Sequence, residues 1–188
     1  MFIENPFPTL ETERLILRPM ELKDLDFVFR HFSDPQVTQY LYDNPPLKDK
    51  TEAQQIIDFY LNDSSGLQNR WVLERKSDGQ PIGTCGFHRW EKRYFRTEIG
   101  YDLSPEFWRQ GYMSEALWAA CQYGFDKMGL NRIDALVYVG NQASLGILKK
   151  LGFQQEGVLR DYFYQNETFY DHALLSLLGK EWHSGVNK

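Results

Sequence analysis

The segment PEFWRQGYMSEALWAACQYGF, residues 105–125, changes at Gly111 from a loop composition to the apolar spacing of an amphipathic helix. A helix N-terminus leaves about four backbone N–H groups without partners and carries partial positive charge, so a flexible turn feeding it can hold phosphate. Gly111 lets such a turn approach a ligand closely, or it serves only the steric needs of a strand-to-helix loop. Neither the Lys-Ser or Lys-Thr of a P-loop nor a GxGxxG run accompanies it. A phosphate ligand outside those two nucleotide classes is the chemistry to consider.

Other reactive residue types suggest less. Cys85 and Cys121 stand singly in apolar segments without CxxC or metal-ligand spacing, and they read as buried thiols. His31, His88 and His183 are dispersed, match no zinc pattern, and read as structural or surface residues. No disulfide and no metal site is expected. Asn141 stands where the helix after ALVYVG begins, which is an N-cap position.

At 188 residues, rich in aromatics and with apolar and charged residues interleaved, the chain is expected to form one globular domain, residues 1–188. The net charge is −5 and the basic residues are scattered, which gives nucleic-acid binding no electrostatic support and suits a cationic partner better. The first residues have no basic n-region and apolar h-region, and no stretch approaches the roughly 20 apolar residues of a membrane span. The expectation is a cytoplasmic protein, monomer or homodimer, with no membrane or nucleic-acid partner.

The elements that must position these residues follow from periodicity. ETERLILRPM alternates as a strand ended by Pro19, and Leu22, Leu25, Phe29 and Phe32 have helical spacing. DKTEAQQIIDFYLND offers Thr51 and Gln54 as a capping box, with Ile56, Ile57, Tyr60 and Leu61 as a buried stripe. RWVLERK and PIGTCGFHRW flank the turn residues Ser77, Asp78 and Gly79 as a hairpin, and RTEIGYDL is a further strand. Met113, Leu117, Ala120, Cys121, Gly124, Phe125 and Met128 continue the helix that Gly111 opens, and RIDALVYV follows as a strand. Ala143, Ile147, Leu148 and Leu151 face inward on a shorter helix stopped by Gly152. Strands GVLRDYFYQ and TFYDHALLSLL flank a turn at Asn166 and Glu167. The order β-α-α-β-β-β-α-β-α-β-β predicts an α/β domain with a mixed sheet.

The run EIGYDLSPEFWRQGYMSEAL, the N-Q-A-S at 141–144 and the LGF at 151–153 resemble the GNAT superfamily of acyl-CoA N-acetyltransferases. TERLILRP and DYFYQNETFYDHALLSLL resemble the branch of ribosomal-protein N-terminal acetyltransferases containing RimJ and RimL. The resemblance runs from Thr12 to Leu178. It implies a mixed, mostly antiparallel sheet flanked by helices. It also implies that the backbone amides of Arg109, Gln110, Gly111, Tyr112, Met113 and Ser114 grip the pyrophosphate of coenzyme A. Main-chain contacts around Tyr101, Asp102 and Leu103 would hold the pantetheine arm, with Asn141 touching it too. The superfamily often has Gly at the position of Arg109 and Gly or Ala at that of Met113.

Acetyl transfer to an amine needs a neutral nucleophile, a polarised carbonyl and a proton source for the thiolate. The resemblance makes Glu98 the first choice for the base, through water; a solvent-facing glutamate is the other reading. Asp171 and His172 are alternatives as bases or as structural hydrogen-bonding residues. Many superfamily members carry a Tyr donor three residues before LGF, where this chain has Leu148. Ser144 takes the donor role in the branch, or packs the helix. Tyr40, Trp90, Tyr162 and Tyr164 line an amine cleft or belong to the core. The expected function is acetyl transfer from acetyl-CoA to a primary amine, with a protein or peptide α-amine favoured. A polyamine, amino acid or antibiotic acceptor is the alternative, and a non-catalytic acyl-CoA-binding module is a third reading.

Overall fold

The computed structural model describes residues 6–41 and 45–184; the remaining residues of the expected 1–188 domain lie outside the described part. A two-residue strand, Leu10–Glu11 (β1), precedes Leu15–Pro19 (β2), and helices follow at Leu25–Ser33 (α1), Pro35–Thr38 (α2) and Lys50–Leu61 (α3). Strands Trp71–Arg75 (β3), Gln80–Glu91 (β4) and Arg96–Leu103 (β5) lead to the helix Tyr112–Asp126 (α4). Strand Arg132–Tyr138 (β6), helix Gln142–Lys150 (α5), strands Gln154–Gln165 (β7) and Thr168–Leu178 (β8) and helix Gly179–His183 (α6) complete the chain. The strands form one eight-stranded sheet in the order β1-β2-β3-β4-β5-β6-β8-β7, antiparallel throughout except for β5 beside β6.

Period-2 alternation sends β3 to two cores at once. Trp71 and Leu73 join Ile82, Phe87, Leu117, Cys121 and Phe125 on the α4 face, whereas Val72 joins Phe27, Val28, Phe32, Ala53 and Ile57 under α1 and α3. Both cysteines are free and buried, and burial pushes their thiols up, Cys121 to about 12.

β1, α2 and α6 are additional to the expected order. The first is too short to show alternation, and α2 is a single turn made by Asp34 accepting the Gln36 N–H at 2.8 Å, with Pro35 behind it. The inward stripe of α1 is Phe27, Val28, His31 and Phe32, while Leu22 is exposed. Asp24 sets this phase: it is buried against Arg18 through two 2.8 Å bonds, which takes the inward position from Leu22. In α3 the N-cap is Asp49, whose carboxylate accepts from the Thr51 and Glu52 N–H groups, so Thr51 is not the cap; Leu61 lies exposed at the frayed end. Ala143 faces solvent because Asn141, one residue before α5, turns Ser144 and Leu148 toward the sheet.

Asp102, at the end of β5, is buried with His31 from α1 and pairs with Arg70 before β3, whose side chain is 13% exposed on the cavity side. Its carboxylate accepts from His31 Nε2 at 2.6 Å, from Thr84 N at 3.1 Å, from Thr84 Oγ1 at 2.8 Å and from Arg70 Nη2. Arg70 Nε also donates to Thr84 Oγ1 at 2.7 Å, and His31 Nδ1 meets Ser104 Oγ at 2.9 Å. Burial alone would raise the carboxyl, but Arg70 and His31 outweigh it and hold it well below the usual carboxylate range.

Removing that carboxylate leaves a buried guanidinium without its counter-charge. Asp102→Ala should therefore lose about 3–5 kcal/mol in urea unfolding at neutral pH. Since the folded carboxyl titrates below its unfolded value, its stabilisation is complete above about pH 5 and is lost as pH falls through the carboxylate range. The variant's stability should fall less steeply there, and a loss under about 1 kcal/mol would show the cluster to be dispensable.

Candidate functional site

Strands β5 and β6 pair for three residues only, ending at Glu98↔Asp134. β5 stays paired with β4 to Leu103, and β6 stays paired with β8 to Tyr138, so the two neighbours separate beyond Glu98. The edge of Ile99–Leu103 that faces β6 consequently has no strand beside it. The gap widens into a cavity of about 750 Å³ beneath α3, and Glu98, Tyr101, Asn141 and Ser144 all line it.

Tyr101 Oη and Ser144 Oγ lie 2.6 Å apart, and either can donate. Burial pushes the Tyr101 phenol well above its usual value, so it stays a neutral hydrogen-bonding group. Asn141 is the N-cap of α5: its Oδ1 accepts the Ser144 N–H at 3.1 Å, which fixes the turn carrying the hydroxyl. Leu148 is fully buried in the core.

Glu98 pairs in register with His88 on β4, and its carboxylate lies 3.5 Å from Arg89 Nη1. Burial, with Arg70 and Arg89 nearby, pushes the His88 imidazole down to about 3, which leaves it neutral at pH 7. Gly100 leaves room for that ring: a Cβ there would stand 3.2 Å from His88 Nε2. Asp171 is turned away from the cavity and accepts the Asp161 N–H at 2.8 Å, steadying the bulge in β7. His172 lines the cavity but is buried among Tyr138, Tyr162 and Phe163, with Nδ1 3.2 Å from the Tyr170 carbonyl. Of the four aromatics considered from sequence, Tyr40 lines the cavity and stacks near Tyr138, Trp90 is in the core, and Tyr162 and Tyr164 lie exposed on β7.

Beyond β5 the chain passes through a short turn to Arg109 and Gly111, whose φ angles are +61° and +83°. The left-handed backbone at Arg109 explains why glycine suits that position. Among the described residues no acceptor meets the N–H groups of Tyr112, Met113 or Ser114, and no side chain caps the helix. The loop's carbonyls are engaged instead: Trp108 Nε1 donates to Leu103 O at 2.7 Å and Arg14 Nη1 to Gln110 O at 3.0 Å. Donors thus face outward and acceptors are tied back, the arrangement an anion requires. The Asp102 side chain is spent on the buried cluster, and its main chain, the part the sequence reading invoked, lies in β5.

Three supporting residues escaped the sequence reading. Glu115 accepts from Thr12 Oγ1 at 2.5 Å and from Arg14 N and Nε at 2.8 and 2.7 Å, which clamps β2 to the first turns of α4. Against burial, which would raise it, Thr12 and Arg14 hold this carboxyl below its usual value. No local pattern marks partners 101 residues apart.

Residues 14–154 match the family profile described as an acetyltransferase (GNAT) domain. The chain is 42% identical over 175 residues to YoaA of Bacillus subtilis (strain 168), named an uncharacterized N-acetyltransferase, covering 92% of this chain and 97% of that protein. It is 29% identical over 153 residues to the spermidine N(1)-acetyltransferase of Escherichia coli (strain K12), covering 81% and 80%. A crystal structure of spermidine N-acetyltransferase from Vibrio cholerae, in complex with CoA and spermine, superposes with a TM-score of 0.81 at 22% identity, over 92% of this chain and 99% of that one; the shared fold is what this likeness shows.

The loop geometry predicts the effect of bulk at its centre. A β-branched residue at φ +83° is strained, and its Cβ would meet Arg14 Nη2 at 3.3 Å. Gly111→Val should weaken coenzyme A binding by roughly tenfold or more, the equivalent of one charge-assisted hydrogen bond. Unchanged affinity by calorimetry, with a native circular-dichroism spectrum, would remove this turn from the site.

Proposed function

The chain belongs to the acetyltransferase (GNAT) family, and from that premise we propose that it moves an acetyl group from acetyl-CoA to a peptide or protein α-amine by direct attack in a ternary complex. The observation that carries this reading is the split between β5 and β6, with the Glu98 carboxylate and the Tyr101–Ser144 hydroxyl pair in the lining of the opening. The free edge of β5 offers main-chain groups to amides of a pantetheine arm, as an added strand would. The unpaired N–H groups of Tyr112, Met113 and Ser114 receive the pyrophosphate. Arg109, Gln110 and Gly111 shape the turn, and Asn141 borders the arm while capping α5.

Bound acetyl-CoA supplies an activated carbonyl: the N–C bond to the amine forms as the C–S bond breaks. Glu98 takes the proton of the incoming ammonium, directly or through water. The Tyr101–Ser144 pair gives a proton to the leaving sulfur and is restored by the second proton that the nitrogen sheds as it becomes an amide. Tyr101 Oη also stands 3.4 Å from the Ser144 carbonyl, so the pair leaves a hydrogen for the sulfur when Tyr101 donates to Ser144 Oγ and the Ser144 hydroxyl is the group that faces the thioester.

Charge in the cavity bears on the acceptor. Among the described lining residues the carboxylates are Glu52 and Glu98 and the guanidiniums are Arg70 and Arg89. With Arg70 already paired to Asp102, the described lining sets Glu52 and Glu98 against Arg89, a single net negative charge that suits a singly charged amine, whereas a polyamine asks for several uncompensated carboxylates. An α-amine, with a pKa near 8 rather than the roughly 10.4 of a lysine side chain, is also the easier one for a single carboxylate to deprotonate. The alternative of a small amine has support in the names of the Escherichia coli and Vibrio cholerae relatives. The ribosomal-protein branch remains the finer family reading, with residues 1–188 acting as one cytoplasmic domain; no described helix is long and apolar enough to cross a membrane. A thiol-release assay of acetyl-CoA against peptides, polyamines and amino acids tests the reading, and no release above buffer with any amine would favour a binding module.

Two substitutions test the assigned roles. Glu98→Gln should lower turnover most near neutral pH and recover partly as pH rises and the amine deprotonates unaided; a wild-type rate with a parallel pH profile would end the assignment. Ser144→Ala and Tyr101→Phe should each lower kcat by up to about 100-fold, the lower end for lost general-acid assistance. Coenzyme A affinity should stay nearly constant, since the bond strengthens only as charge develops on sulfur. Lost affinity with unchanged kcat would make the pair a binding or packing feature.

A further inference from the structure

The cavity holds two guanidiniums in different circumstances. Arg70 is neutralised by Asp102 and further held by Thr84 and Tyr60. Arg89 has a side chain 70% exposed, and its ion pair with Glu98 is a single long contact of 3.5 Å. Exposed pairs of this kind contribute little to stability, so exchanging the partner costs little. Arg89 is also placed with unusual care. Its φ is +53°, in the left-handed region that a long side chain seldom occupies, and it sits at the irregularity where β4 and β5 lose register between His88 and Glu91. Strain of this sort at a cavity wall persists where the side chain's direction matters.

We infer that Glu98 and Arg89 together recognise an acceptor that carries an anionic group beside its amine, the ammonium going to Glu98 and the anion to Arg89. This rests on the reading of the protein as an amine acetyltransferase and narrows its substrate. The shared chemistry is an amine with a carboxylate a few bonds away, found in a free α-amino acid or at a peptide N-terminus whose first or second residue is acidic. Tyr40 and Tyr138, their rings tilted at 32° and 5.6 Å apart on the cavity wall, provide the apolar surface for the remainder of such a molecule. Docking also serves the chemistry. When the acceptor's carboxylate takes over Arg89, the ammonium comes to stand beside Glu98, which sets the proton donor against the carboxylate that must receive the proton. The proton passes to Glu98, the freed amine forms the N–C bond as the C–S bond breaks, the thiolate takes a proton from the Tyr101–Ser144 pair, and the second proton shed by the new amide nitrogen restores that pair.

The test compares acceptors matched except for the anion, by thiol release from acetyl-CoA. One set is phenylalanine, leucine and methionine with their amides and decarboxylated amines; the other is short peptides with Asp or Glu at residue 1 or 2, with their Asn or Gln counterparts. The anionic member of at least one set should exceed its neutral partner by roughly tenfold in kcat/KM, the scale of one charge-assisted contact at a partly exposed site. Which set responds tells amino acid from peptide. Arg89→Gln should collapse that ratio toward one and Arg89→Lys should restore part of it, with coenzyme A affinity as the check on folding. Neutral acceptors equal to or better than anionic ones, or a ratio unmoved by Arg89→Gln, would overturn the inference while leaving the acetyltransferase reading in place. Failure of every amine would overturn both.

Discussion

Everything at the site depends on one constraint: two parallel strands that stay hydrogen-bonded for three residue pairs and then part. Backbone groups in a sheet must find partners or meet water, and an open edge inside a fold is ordinarily a liability. Here the edge of β5 opens onto a covered cavity, where α3 overhead excludes another strand but admits a slender polar chain. The connection that makes β5 and β6 parallel is the crossover through α4, so a helix N-terminus necessarily starts near the carboxyl end of β5. One topological choice therefore creates both the unpaired edge and the anion-binding turn beside it.

The charges around this opening fall into a closed set and an open one. Asp102, Arg70, His31 and Thr84 satisfy one another out of solvent and tie α1, β4 and β5 together just where β6 no longer supports β5. Arg18, Asp24 and Glu74 do the same for β2, β3 and the start of α1, and Arg14 with Glu115 holds the turn into α4. Networks of this kind are rigid because every member has a partner to lose. Glu98 and Arg89, by contrast, meet at a long distance at the cavity wall, where solvent keeps the exchange of partners shallow in free energy. A stiff frame around an exchangeable pair is what a site needs if it must hold geometry through a change of charge.

Much of the frame was legible along the chain because short-range rules govern it. The limits of β5 and β8, the hairpin of β3 and β4, the stop at Gly152 and the cap at Asn141 all follow from alternation, breakers and caps spanning a few residues. Gly111 likewise announced a left-handed turn before a helix. Family resemblance then brought Glu98, Tyr101, Asn141 and Ser144 into one site, and these four do line one cavity. The misreadings were of another kind. Leu22 lost its inward place to Asp24, Thr51 lost the cap to Asp49, and Ala143 lost its inward place to Ser144.

In each of these cases the deciding partner is a matter of position in space or of competition between adjacent candidates, which periodicity does not rank. Arg18 selects Asp24 over Leu22 because a buried guanidinium must be compensated, a cost larger than that of exposing one leucine. The sequence by itself determined the longer elements and their order, since hydrophobic period and backbone chemistry act locally, while family resemblance singled out the residues at the divergent strand. Only the tertiary structure decided that Asp102 is locked into a buried cluster while Glu98 stays beside an exchangeable Arg89. Both are carboxylates on one strand, and what separates them is burial and the charges brought to them by residues far along the chain, since the free energy of an ionised group is set by its surroundings in space.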